Sequence, residues 1–157
     1  MKAASLGELK HELLTRPQKE VFELCLRLAK FKKENKELLT FLLFEAGDLQ
    51  SYIQNVKKEI DEQFSLINKT NLYFAKKSIR KILRTVNKFI KYAASKEAEV
   101  ELLIYYCIKL QESGIALHKS AALTNLLNMQ IKRIFKSMEL LHEDLQYEYF
   151  KDLEKLK

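Results

Sequence analysis

The chain has 157 residues, with 28 Lys and Arg against 21 Asp and Glu and only three Gly and one Pro. So few chain breakers exclude an all-β fold, and the length suits a single all-helical domain over residues 1–157 with a sizeable core. The net charge of +7 directs attention to acidic partners.

The N-terminal "MKAASLGELKHELLTRP" has no apolar run before a small-residue cleavage site, so it does not read as a secretory signal. Ser5 followed by Glu8 is a capping-box pattern that opens a short helix to about Leu14. Thr15 reads as the cap of a second helix, with Pro17 and Gln18 in its first turn and an inward stripe of Val21, Leu24, Cys25, Leu28 and Phe31. This helix ends near "KKEN", and Asn35 restarts the chain into "KELLTFLLFEA", which Gly47 closes as a left-handed C-terminal cap. Asp48 caps a fourth helix with Leu49, Ile53, Val56, Ile60, Phe64 and Ile67 at a 3–4 spacing.

After "NKTN" at 68–71 comes a fifth helix to about Ala94, then a sixth from Ser95 over 96–112 whose middle is apolar on every side and which is therefore expected at the centre of the core. Gly114 closes it. A last helical region starts near Ser120 and carries Leu123, Leu127, Ile131, Ile134, Met138, Leu141 and Leu145. Unbroken, it would reach about 50 Å, more than the width of such a domain, so it either breaks near Ser137 or projects over about 138–157. The longest apolar run, "LLIYYCI" at 102–108, is too short to cross a bilayer, which needs about 20 residues. No membrane contact and a cytoplasmic location are the expectation. Cys25 and Cys107 both fall inside apolar helical patterns and read as reduced, buried thiols.

"ELLTFLLF" at 37–44 echoes "ELLIYYCI" at 101–108, 64 residues later. The echo allows two stacked three-helix units, helices two to four and five to seven, in a short α-α superhelical array; the alternative is an ordinary bundle of about seven helices.

Charge is unevenly spread. From Gln63 to Lys96 there are nine basic residues and no acid, so the rest of the chain sums to −2. At 100° per residue the fifth helix separates two faces: Leu72, Ala75, Ile79, Ile82, Leu83, Val86, Phe89, Ile90 and Ala93 fall within about 120°, and the cations within about 140° on the other side. Tyr73, Lys76, Lys77, Arg80, Lys81, Arg84, Lys88 and Lys91 thus form the candidate partner-binding strip, roughly 20 Å long. A soluble helix needs a polar face, and a charge run is commonly just that. What speaks for a partner is the absence of Glu: Lys76/Arg80, Lys77/Lys81, Arg80/Arg84 and Arg84/Lys88 are like pairs at i,i+4, each costing about 0.2–0.5 kcal/mol. The neutralising group is either internal, "EDLQYEYFKDLE" or Glu97, Glu99 and Glu101, or an acidic protein surface, or nucleic acid backbone. A second acid-free stretch, Ser113 to Met138, adds Lys119, Lys132, Arg133 and Lys136.

Catalytic material is thin. Glu8/His11 and Glu139/His142 have the i,i+3 spacing used in di-iron bundles, but Glu8 is explained by capping and His142 by a polar face. His118 sits in a linker. There is no Gly-rich phosphate loop, no zinc-spaced Cys pair and no G-x-S-x-G elbow, so no enzyme activity, cofactor, metal or small-molecule substrate is expected. The stretches "FKKENKELLTFLLFEAGD", "AKKSIRKILRTVNKFIKY" and "LHEDLQYEYFKDLE" resemble a family of short all-helical bacterial proteins without an assigned activity. The resemblance covers nearly the whole chain and implies an all-helical fold, but no function and no functional residue. The reading that follows from the residues is a non-enzymatic binding or adaptor protein, contacting an acidic protein or itself, with nucleic acid backbone as the alternative ligand.

Overall fold

A computed structural model describes residues 1–156. Among these the chain is all-helical, with eight α-helices and no strand. It divides into two compact units, Met1–Phe44 and Glu45 onward.

The first unit holds α1 (Leu6–Thr15), α2 (Gln18–Phe31) and α3 (Lys33–Thr40), followed by a π-helical turn that begins at Phe41. The Ser5/Glu8 capping box forms, with the Ser5 amide donating to Glu8 at 2.7 Å. Thr15 does not cap α2. Its hydroxyl turns back to the Glu12 carbonyl at 2.8 Å, and Pro17 stands at the N-cap, where a missing amide proton costs nothing. Lys32 separates α2 from α3, and Asn35 lies inside α3, where its Nδ2 donates to the free Leu28 carbonyl at 2.8 Å. None of α1, α2 or α3 contains a buried residue. The stripe expected to point inward is open: Leu24 is 43% exposed, Leu28 61% and Phe31 76%, and Cys25 is exposed as well. Its periodicity marks an apolar face, but this unit supplies too little chain to cover it.

The second unit is built around α6 (Lys96–Glu112), with α4 (Leu49–Ser65), α5 (Leu72–Ala93), α7 (Ala121–Met138) and α8 (Glu143–Leu153) as neighbours. The N-caps are side-chain acceptors: Asp48 for α4, Asn71 for α5, Ser95 for α6 and Ser120 for α7. Gly114 takes φ 75°, a left-handed turn that a side chain would strain, whereas Gly47 has no positive φ and is not such a cap. On α6, Ala98, Val100, Leu102, Leu103, Ile104, Tyr106, Cys107 and Leu110 are all buried, as its all-round apolarity requires. Tyr106 donates to the Ile79 carbonyl at 3.1 Å and packs on Phe64, ring centroids 5.7 Å apart. Burial pushes the Cys107 thiol up to about 12.

The last helical region breaks just after Met138, and His142 caps α8 by accepting from the Asp144 amide. Helix α8 then packs on α6, burying Tyr149 and Leu153. Because α4 packs with α5 and α6, the two three-helix repeats suggested by the internal echo do not form. The echoing segments have opposite fates: Leu42, Leu43 and Phe44 are exposed, whereas Tyr106 and Cys107 are core.

Candidate cationic interface

The candidate strip lies on α5, whose 22 residues span about 33 Å at the usual helical rise. Asn71 accepts from the amides of Tyr73 and Phe74 at 2.9 and 3.2 Å, and Ala94 ends the helix in the left-handed region at φ 47°. Ala75, Ile79, Ile82, Val86 and Ile90 are buried at a 3–4 spacing, and they fix the rotation of the helix about its axis. That rotation exposes Lys77, Arg80, Lys81, Arg84 and Lys91 to solvent, with Lys76 and Lys88 half-buried at the margins and Tyr73 59% exposed. All eight predicted residues therefore share one face.

Aromatic rings carry two of the cations. The Lys77 ammonium stands 5.1 Å from the centre of the Tyr73 ring, and that of Lys88 stands 4.9 Å from Phe89. Tyr73 and Phe74 meet edge to face at 5.5 Å. Arg80, Lys81 and Arg84 line a shallow concavity of about 550 Å³ with Ser78 and Asn87.

Among the described residues, Lys76, Lys77, Arg80, Lys81, Arg84 and Lys91 make no ion pair. Of the carboxylates that the sequence offered as internal partners, Glu97, Glu99 and Glu101 are engaged elsewhere. Glu97 accepts from Gln50 at 2.9 Å, and Glu101 is held by Lys57 at 2.6 Å and by the Tyr149 hydroxyl at 3.2 Å. Glu99, itself buried, takes Arg133 at 2.7 Å and Lys96 at 2.7 Å. In the C-terminal segment, Asp152 pairs with Lys155 at 2.7 Å.

The Glu99 network was not visible in the sequence. Burial alone would raise the Glu99 carboxyl, but its bonds to Lys96 and Arg133 outweigh this and hold it below the usual range. Arg133 also donates to Asn87 Oδ1 at 2.6 Å, tying α7 to α5 and α6. It is thereby withdrawn from the second basic stretch, while Lys119, Lys132 and Lys136 stay exposed. Only the 34-residue separation of Glu99 and Arg133, which no local pattern relates, kept this pair hidden.

Another concavity, about 640 Å³, lies where α4, α6 and α8 meet and is lined by Lys57, Glu101, Tyr105, Lys109 and Tyr149. Its polar groups satisfy one another: the Tyr105 hydroxyl donates to Asp61 at 2.7 Å, and Lys109 pairs with Asp61 at 2.9 Å. Burial raises the hydroxyls of Tyr105 and Tyr149, so both remain protonated donors. This cleft reads as the polar seam that straps α8 to α6. Among the described residues no group of three or more His, Cys, Asp or Glu is placed to hold a metal ion. Of the Glu-x-x-His pairs, Glu8 serves the α1 cap and His142 the α8 cap. Among the same residues no helix is long and apolar enough to cross a membrane.

Comparison with known proteins gives the chain no family: no family model matches it, and neither a curated protein nor a solved structure does.

Proposed function

We propose that the chain is a cytoplasmic, non-enzymatic binding protein whose α5 strip docks on an acidic surface of another protein. The observation that carries this reading is the set of six cations on one exposed face without an ion pair among the described residues, while Glu97, Glu99 and Glu101 are bonded elsewhere. A ligand that brings negative charge would relieve the repulsion along that face. A protein fits better than nucleic acid because the strip ends in Tyr73 and Phe74, 59% and 51% exposed, which suit the aromatic anchor of a protein interface. One aromatic among the cations provides no run of stacking sites for bases.

The test is a titration of the full chain against a Glu-rich amphipathic peptide with Leu and Phe anchors, and against random duplex and single-stranded oligonucleotides, from about 50 to 200 mM salt. The peptide is expected to bind and to weaken at least about tenfold in Arg80→Glu/Arg84→Glu. No peptide binding at the lowest salt, or binding indifferent to the two substitutions, overturns the reading. Tighter, substitution-sensitive binding to the oligonucleotides transfers the strip to nucleic acid backbone.

A further inference from the structure

We infer that the Met1–Phe44 unit is a self-association element, in which the α1–α2 face around its apolar groove packs against the same face of a second copy of this chain. This surface is separate from the α5 strip and does not depend on what that strip binds.

The unit lacks a core of its own. Three helices leave no residue buried, and among the described residues of the unit only Phe41, in the π turn, is inaccessible. A stretch of this length sits at the lower limit, about 40 residues, below which a chain needs oligomerisation, metal or disulfides to complete a core. Helix α2 shows how much is uncovered. Placed at 100° intervals, Val21, Phe22, Leu24, Cys25, Leu26, Leu28, Ala29 and Phe31 cover an arc of about 220°, roughly twice what one neighbour needs. Helix α3 packs against α2 and takes part of that arc. On the side toward α1, Leu24 joins Leu9 and Leu13 in flooring a groove of about 660 Å³ between α1 and α2.

The rim of this groove selects the occupant. It carries Glu12, Glu20 and Glu23 together with Arg16, Lys19 and Arg27, three charges of each sign. A uniformly acidic or basic partner would meet like charge at half of these positions. A second copy related by a two-fold axis meets its own pattern reversed, which is the requirement of a closed isologous interface. Along α2 the order of charge sets the direction. Glu20 and Glu23 with Lys19 make the first half net −1, and Arg27 and Lys30 make the second half +2. An antiparallel copy therefore places acids over bases at both ends, and opposes the helix dipoles favourably. Glu20 is already bonded to Arg16 at 3.4 Å, but both are about half exposed, so this pair is weak and easily exchanged. The α5 strip cannot play this part, because its single sign would face itself.

The test uses the full chain in sedimentation equilibrium, with loading from about 1 to 100 µM so that mass action is read directly. Wild type is expected to reach a dimer. Glu20→Lys/Glu23→Lys and Arg27→Glu/Lys30→Glu are each expected to dimerise at least about tenfold more weakly. An equimolar mixture of the two variants restores acid over base at both ends and is expected to recover the wild-type dimer, with helix content unchanged by circular dichroism in every sample. A wild type that stays monomeric throughout, as when the groove is covered within its own chain, overturns the inference. So do variants that dimerise like wild type, or a mixture that fails to recover.

Discussion

The two units of this chain are made of the same material and end in opposite states. Both units are built from helices rich in Leu, Lys and Glu, yet the first leaves Leu28 and Phe31 in water while the second closes around Tyr106, Leu103 and Leu110. The difference is one of company. Helix α6 is apolar on all sides and has four neighbours, whereas α2 is apolar over more than half its circumference and meets α3 along only part of it. An apolar face declares that something covers it, and only the rest of the fold says what. In this reading the second unit is a finished scaffold that displays a cationic strip, and the first is an interface still waiting for its other half.

Several measurements can break or sharpen that contrast. The largest effect is expected in thiol reactivity. Cys25 is open and Cys107 is buried, so a disulfide reagent should modify one thiol of the native chain at once and the other roughly a thousandfold or more slowly, through unfolding. Two equally slow thiols would place Cys25 in a core. Next are core truncations. Leu103→Ala in α6 should cost about 2–5 kcal/mol in denaturant unfolding, whereas Leu24→Ala in α2 should cost below about 1 kcal/mol at concentrations where the chain is monomeric. Equal losses would remove the contrast.

A smaller effect belongs to the Glu99 network. Arg133→Met leaves a buried carboxylate with Lys96 alone and should cost about 1–2 kcal/mol, a figure discounted because the Arg133 side chain is 37% exposed. The Glu99 carboxyl is depressed in the folded state, so its contribution is complete above the ordinary carboxylate range and disappears as pH falls through its folded value. Wild type should therefore lose more stability than Glu99→Gln on acidification, and parallel pH curves would count against the network. The smallest change is on the strip itself. Arg84→Glu replaces like pairs with Arg80 and Lys88 by opposite ones, so stability should rise by less than about 1 kcal/mol even as binding of the acidic peptide falls. A marked loss of stability would mean that the strip is already neutralised within the fold.

The sequence was most legible where periodicity decides. The buried stripe of α5, the central place of α6 and the caps at Asp48 and Ser95 follow from residue type and spacing, and so does the shared face of Tyr73, Lys76, Lys77, Arg80, Lys81, Arg84, Lys88 and Lys91. It was least legible where a residue's role depends on distant chain. Cys25 and Cys107 have similar local surroundings, and only packing distinguishes them. Gly47 and Gly114 both follow a helical run, but the first succeeds a π turn and the second alone closes with positive φ. Beyond the local Lys96–Glu99 pair, the partners of Glu97, Glu99 and Glu101 lie 34 to 48 positions away, where no helical wheel relates them. No Gly- or Pro-rich linker marks the boundary after Phe44, so the composition carries no trace of the two units.

The contrast between the units is tested most directly by hydrogen exchange of the full chain, followed segment by segment at several protein concentrations. Amides of α4 to α7 are expected to exchange only through global opening, while those of α1 to α3 exchange much faster in dilute protein and become protected as concentration rises. Amides of α1 to α3 that are as protected as those of α6 at every concentration would contradict that contrast.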